Sequence, residues 1–304
     1  MGSDEEIFRV DPKTKAVLEK KGYVVLKKIS EGAFGKVYKA KNKARNEPDA
    51  VKVMDLEKAA AKGLNEKFMD REIAALVNVR HPNVLYVHDI FKSKGRLYIF
   101  MEFAPNGTLD NRLKKAKNGF LKEAQAKIWF RQCVAALHCM HVDHHMCHRD
   151  IKLENVLLDA QDRCKLSDFG FAREFHLEDG KLSNTHCGTA PYYAPEIVAK
   201  QPYNPFLYDV WAMGVMLFRM LHGNYPFNVK NLKHNRAGVL NEMKAKSYNI
   251  NEKAERKLSR EVKVLLDKMF TFSPKNRLNI IGVKTDPWLN EGDDEGESAE
   301  RSDD

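Results

Sequence analysis

The chain has 304 residues, 43% hydrophobic and 31% charged, with a formal net charge of +9. Its length allows a large buried core. Its longest apolar run, Val210–Phe218, falls well short of the roughly 18 residues that span a bilayer. Five cysteines without a CxxC pair, and no secretory leader, argue against a disulfide framework and for a reducing, cytoplasmic setting. The charge is uneven: Glu291–Asp304 carries net −7 and residues 1–290 carry +16. Lys and Arg are scattered through most segments with no interleaved aromatic stripe, so the basic surface reads as solvated, with no nucleic acid and no membrane as partners.

Residues 1–22 are polar and charged and are expected to lie as an arm on the surface. From Tyr23 the pattern turns to strand: Val24–Leu26, then a turn through Gly32 and Gly35, then Val37–Ala40, and a third strand at Ala50–Met54. Residues 64–78 read as a helix, with Phe68, Met69, Ile73, Leu76 and Val77 apolar at mixed three- and four-residue steps. Leu97–Phe103 is an apolar strand that stops at Ala104-Pro105-Asn106-Gly107, a breaker cluster suited to a hinge. Helices then dominate. Lys122–Met140 places Phe130, Cys133, Val134 and Leu137 on one face, and Phe206–Leu221 is apolar enough to be a buried central helix. Short strands are expected at Val156–Leu158 and Cys164–Leu166. The fold class is α+β: a small β-rich N-lobe over about 23–103 and a helical C-lobe over about 104–289, around a cleft. An acidic tail over 290–304 has too few apolar residues to fold.

Two segments carry the chemistry. His148–Asn155 reads HRDIKLEN, and Asp168-Phe169-Gly170 begins eighteen residues after Asp150. The first supplies a carboxylate, Asp150, to orient a hydroxyl nucleophile, and an amide oxygen, Asn155, for Mg²⁺. The second supplies a carboxylate, Asp168, for Mg²⁺ bridging the β- and γ-phosphates of ATP. Upstream, Gly32 and Gly35 let backbone approach phosphates without a Cβ in the way. A Gly-x-x-Gly turn alone is more often a plain hairpin. It gains meaning from Lys52, seventeen residues after Gly35 in the apolar frame Ala-Val-Lys-Val. A lysine there is costly to bury unless paired, and Glu72 on the following helix is the natural partner. His138, Cys139, His141, His144, His145, Cys147 and His148 also crowd together, but their spacing does not resolve into a four-ligand metal site.

These motifs, with Ala194-Pro195-Glu196, Asp209 and Arg277, resemble the eukaryotic protein kinases over residues 23–289. The resemblance implies that Asp150 accepts the substrate proton, Lys152 steadies the γ-phosphate, and Asn155 and Asp168 hold Mg²⁺. It implies that the backbone of Glu102 and Ala104 bonds the adenine edge with Met101 as gatekeeper, and that Ile29, Val37, Ala50 and Leu157 sandwich the ring. The family's loop normally carries three glycines, and here Ser30 stands at the first. Lys152 and Thr189 look like the serine/threonine class. VLEKKGY, KLSDFGFA and YDVWAMGVMLF look like the testis-specific serine/threonine kinases.

Thr185 lies eleven residues before Glu196, and Arg149 beside the catalytic aspartate resembles the mark of kinases switched on by phosphate in this loop. Arg149 and Arg173 are expected to clamp a phosphothreonine supplied by an upstream activating kinase, with Ser183 the nearest rival acceptor. Glu154 resembles a residue that favours arginine upstream of the acceptor in basophilic relatives. Thr108 and Arg219 stand where such relatives carry carboxylates. The expected partners are protein substrates with Ser or Thr acceptors. The main rival reading is a pseudoenzyme scaffold. Such chains usually lose the lysine or one of the two aspartates, whereas Lys52, Asp150, Asn155 and Asp168 are all present.

Overall fold

Residues 12–20, expected to be part of a polar arm, form a helix, α1 (Pro12–Lys20), in the computed structural model. The structure describes residues 11–31, 35–61, 79–175, 182–230 and 232–290. The carboxylate of Asp11 caps α1 by accepting from the backbone N–H of Lys13 and Thr14, and Pro12 fits the first turn because no N–H is needed there. Thr14, Val17 and Leu18 are buried at three- and four-residue spacing. Arg96 donates to both Asp11 and the Thr14 hydroxyl, tying the cap to a strand 82 residues on from Thr14. Burial pushes the Asp11 carboxyl up, but hydrogen bonds from Thr14 and Arg96 outweigh it and hold the group well below the ordinary carboxylate range. A depressed folded-state value means that the cap's contribution is present above the unfolded pKa and is lost as pH falls through the folded one.

The chain divides into two compact units, Met1–Pro105 and Asn106–Asp304. In the first, β1 (Tyr23–Glu31), β2 (Gly35–Asn42), β3 (Pro48–Asp55), β4 (Val87–Ser93) and β5 (Arg96–Glu102) form one antiparallel sheet in the order β1-β2-β3-β5-β4. Strand alternation sorts its side chains. Tyr38, Ala40, Val51, Val53, Tyr98 and Phe100 cluster with Val17 and Leu18 of α1. Val37 pairs with Lys52, Lys52 with Ile99, and Ala50 with Met101, so these residues share the opposite face. Leu18 is fully buried in the first cluster. Leu18→Ala should therefore cost about 2–5 kcal/mol. Urea unfolding followed by circular dichroism checks this, and an unshifted midpoint would deny the helix a part in the core.

The second unit is built around α-helices. A helix over Glu123–His138 runs into one π turn, Cys139–Asp143. The helix over Pro205–His222 is capped by Asn204, starts on Pro205, stops at Gly223 with φ 80°, and is buried on nearly every face. Two short ladders flank the motif segments: β6 (Met146–Cys147) pairs with β9 (Arg173–Glu174), and β7 (Val156–Leu158) with β8 (Cys164–Leu166). A five-stranded antiparallel sheet in one unit and helices in the other make the expected α+β class. No helix among the described residues is long and apolar enough to cross a membrane.

Candidate active site

The site is organised by a carboxylate on the buried helix. Asp209, fully buried, accepts from the backbone N–H of His148 through Oδ2 and of Arg149 through Oδ1, both at 2.7 Å. His141 lies 2.9 Å from the same Oδ2 through Nε2. Arg149 sits at φ 64°, a left-handed conformation that costs a non-glycine residue about 1–3 kcal/mol. Two hydrogen bonds to a buried carboxylate, each worth about 1.5–3 kcal/mol, are enough to hold the turn. Gly188 is packed against it: with φ 99°, an added Cβ would press on the Tyr208 hydroxyl and the Arg149 carbonyl.

The turn delivers Asp150. Its N–H donates to Nδ1 of His148 at 3.2 Å, so that nitrogen is the acceptor, and Nε2 carries the proton given to the Ser167 carbonyl at 3.0 Å. Asp150 is 6% exposed and its oxygens are fully organised. Oδ2 accepts from Lys152 Nζ at 2.6 Å and Asn155 Nδ2 at 3.0 Å. Oδ1 accepts from the Thr189 hydroxyl at 2.9 Å, and Lys152 Nζ also donates to that hydroxyl at 3.0 Å. A lysine, a threonine hydroxyl and an amide thus converge on one carboxylate, brought from the motif segment and from a loop 39 residues away. Asn155 Nδ2 also donates to the Asp150 carbonyl, so the amide nitrogen is committed and Oδ1 is the atom left to face a cation. Asp168 follows Ser167, whose N–H and hydroxyl both donate to the Asn155 carbonyl at 2.8 Å. Asp168 is exposed, at φ 60°.

The Pro195–Val198 helix is anchored by a bidentate pair: Arg277 donates to both Glu196 oxygens at 2.7 and 2.9 Å, and its guanidinium packs over Trp211. Farther along the loop, Thr185 is exposed, whereas Ser183 is buried and bridged to Tyr203. The Tyr203 hydroxyl donates to the Thr185 carbonyl, and the Thr185 N–H donates to Ser183 Oγ. Arg149 donates through Nε to the Phe171 carbonyl at 2.6 Å, and Arg173 pairs with Cys147 on the β6–β9 ladder.

In the first unit, Val37, Ala50, Lys52 and Met101 share one sheet face, Ile29 is exposed on β1, and Glu102 donates its N–H to the Tyr86 carbonyl. Gly35 has a local reason to be glycine: a Cβ there would collide with the Val53 carbonyl of the neighbouring strand. Ala104 lies half-buried one residue before the end of the first unit, and Leu157 lies half-buried on β7 in the second. Gly32 and Glu72 lie outside the described residues. His141 and His148, from the run that invites a metal reading, are committed to Asp209 and to the Ser167 carbonyl. Among the described residues no group of three His, Cys, Asp or Glu side chains is placed to hold a metal ion.

The central helix thus holds a turn that pins a carboxylate beside a lysine. Residues 23–289 match the protein kinase domain family. The chain belongs to that family. The chain is 36% identical to a CBL-interacting serine/threonine-protein kinase of Arabidopsis thaliana, over 90% of this chain and 61% of the relative. It is 34% identical to a CBL-interacting protein kinase of Oryza sativa, over 90% of this chain and 58% of that one. It is 35% identical to a testis-specific serine/threonine-protein kinase of Mus musculus, over 90% of this chain and 73% of the relative. The testis-specific likeness seen in three phrases is thus shared at similar identity with a plant group. The chain spans less than two thirds of the length of those plant relatives.

Proposed function

We propose that the protein transfers the γ-phosphoryl group of ATP to serine or threonine hydroxyls of protein substrates. The observation that carries this is the convergence of Lys152, Thr189 and Asn155 on the Asp150 carboxylate. A carboxylate so held keeps an acceptor geometry without reorganising, and it can orient a substrate hydroxyl and take its proton. Lys152, bridging Asp150 and Thr189, is placed to meet negative charge arriving beside the base.

The residues present fit Mg²⁺. Asn155 Oδ1 and the exposed Asp168 carboxylate are hard oxygen donors, and a magnesium ion held by one or two such groups completes its shell with phosphate and water. The ion would neutralise charge on the transferred group. Ile29, Gly32, Gly35, Val37, Ala50, Lys52, Met101, Glu102, Ala104 and Leu157 are the positions assigned to the nucleotide, with Glu72 holding Lys52. The shared sheet face of Val37, Ala50, Lys52 and Met101 supports that assignment.

Regulation by phosphate on Thr185 belongs to the same reading, supported by the exposure of Thr185 and the burial of Ser183. The names of the plant relatives indicate that those proteins bind a CBL partner. Phosphoamino-acid analysis of a peptide library incubated with ATP and Mg²⁺ tests the class: phosphoserine and phosphothreonine are expected, and predominant phosphotyrosine would reject it.

A further inference from the structure

Beside the catalytic segment lies an ion cluster that phosphoryl transfer itself does not use. Arg219, on the Pro205–His222 helix, donates to Asp110 Oδ1 at 2.6 Å and to Glu154 Oε1 at 3.0 Å. The Tyr192 hydroxyl lies 3.3 Å from the same guanidinium, and the Tyr225 ring lies under it at 4.6 Å. Arg219 is 11% exposed, Asp110 4% and Glu154 41%. The cluster borders the site directly. Glu154 is two residues past Lys152, and the Tyr192 hydroxyl accepts from the Leu153 N–H at 3.3 Å. Tyr192 also sits three residues after Thr189, which bonds Asp150. A peptide whose hydroxyl reaches Asp150 must lay its flanking residues near this surface.

Two carboxylates, an aromatic ring and a phenol around a guanidinium form a complete arginine site, and here the chain fills it itself. Lys114 pairs with the remaining oxygen of Asp110 at 2.6 Å, so Asp110 and Glu154 face two cations and the cluster is neutral. Asp110 is held in place locally. Thr108 and Asn111 form a reciprocal cap at the start of the Leu109–Lys114 helix and fix the turn that carries it. We propose that Arg219 occupies the acidic subsite that would otherwise select a substrate arginine, so that acceptor peptides are chosen without a requirement for arginine next to the phosphorylated residue. This rests on the kinase reading above, and it gives Arg219, Asp110 and Glu154 the role of setting specificity.

The test is an arginine walk: one arginine placed in turn at the four positions on each side of the acceptor in an otherwise neutral peptide. At each position kcat/KM is divided by that of the arginine-free peptide, so a general loss of activity cancels. Arg219→Gln should raise the ratio at least tenfold at one position, because the substrate arginine takes the vacated site. Glu154→Gln alone should leave the wild-type ratios within twofold, since Glu154 is already committed to Arg219. An Arg219→Gln profile matching wild type would overturn the proposal. So would a wild-type arginine preference that Glu154→Gln abolishes, and this arm stands even if Arg219→Gln fails to fold. Wild-type transfer to the arginine-free peptide tests the kinase reading separately: its absence would fault that reading, and its presence with the wrong ratios would fault only the role of Arg219.

Discussion

Asp168→Asn should lower kcat by on the order of 10²–10³-fold, the cost typical of removing one charge-stabilising group from an organised site. Asp168 follows Ser167, which is doubly bonded to the Asn155 carbonyl, and it stands exposed in a left-handed conformation that no glycine relieves. Backbone strain kept in an exposed aspartate, next to the residue that bonds Asn155, motivates a functional role for its carboxylate. Exchanging it for an amide removes the charge and keeps the shape. The loss should therefore come with a raised Mg²⁺ concentration for half-maximal activity and an unchanged melting curve. Undiminished kcat with the wild-type Mg²⁺ dependence would remove Asp168 from the metal site.

Thr185→Ala should show low activity that an upstream kinase cannot raise, while Ser183→Ala should be activated nearly as wild type. Thr185 is exposed and open to modification, whereas Ser183 is buried in its bridge with Tyr203. The β6–β9 ladder sets Arg173 opposite Cys147, two residues before Arg149, and Arg149 bonds the Phe171 carbonyl, two residues before Arg173. On the proposed reading, phosphate on Thr185 would offer these cations charge-assisted hydrogen bonds that join the loop to the motif segment. A bias of about 2–3 kcal/mol changes a minor active population by roughly thirty- to 150-fold. Specific activities of the phosphorylated enzyme and of Thr185→Ala are the measurement. Equal values would leave Thr185 as a turn residue whose carbonyl anchors Tyr203.

The motif residues were legible in the sequence because their chemistry forces type and spacing together. The central helix was legible for a different reason: apolar residues fill it on every side, between Pro205 at its start and Gly223 at its stop. The helix Pro12–Lys20 was not. It carries few apolar residues, and only the sheet cluster around Tyr38 and Phe100 gives Val17 and Leu18 something to bury against. The strand Val87–Ser93 was hidden by a bulge between Val87 and Asp89 that breaks strict alternation. His141 looked like one of several crowded histidines, and its role depends on Asp209, 68 residues on, and on the π turn that carries it between the Glu123–His138 helix and the motif segment. Thr108 stood out where a carboxylate was sought. The structure makes it a helix cap and supplies the carboxylate two residues later, from Asp110, whose partner is 109 residues away. Long-range polar pairs of this kind leave no local signature.

The most direct test of the account is transfer of label from γ-labelled ATP to a serine/threonine peptide library by the wild-type chain and by Asp150→Asn. The substitution keeps the side chain's shape and its hydrogen bond from Lys152 while removing the charge that, on the proposed reading, would orient and deprotonate the acceptor. Labelling by the wild type, with a loss of at least about a hundredfold in the variant and unchanged circular dichroism, is the predicted result. Equal labelling by the two, or none by a folded, Mg²⁺-supplied and Thr185-phosphorylated wild type, would contradict it.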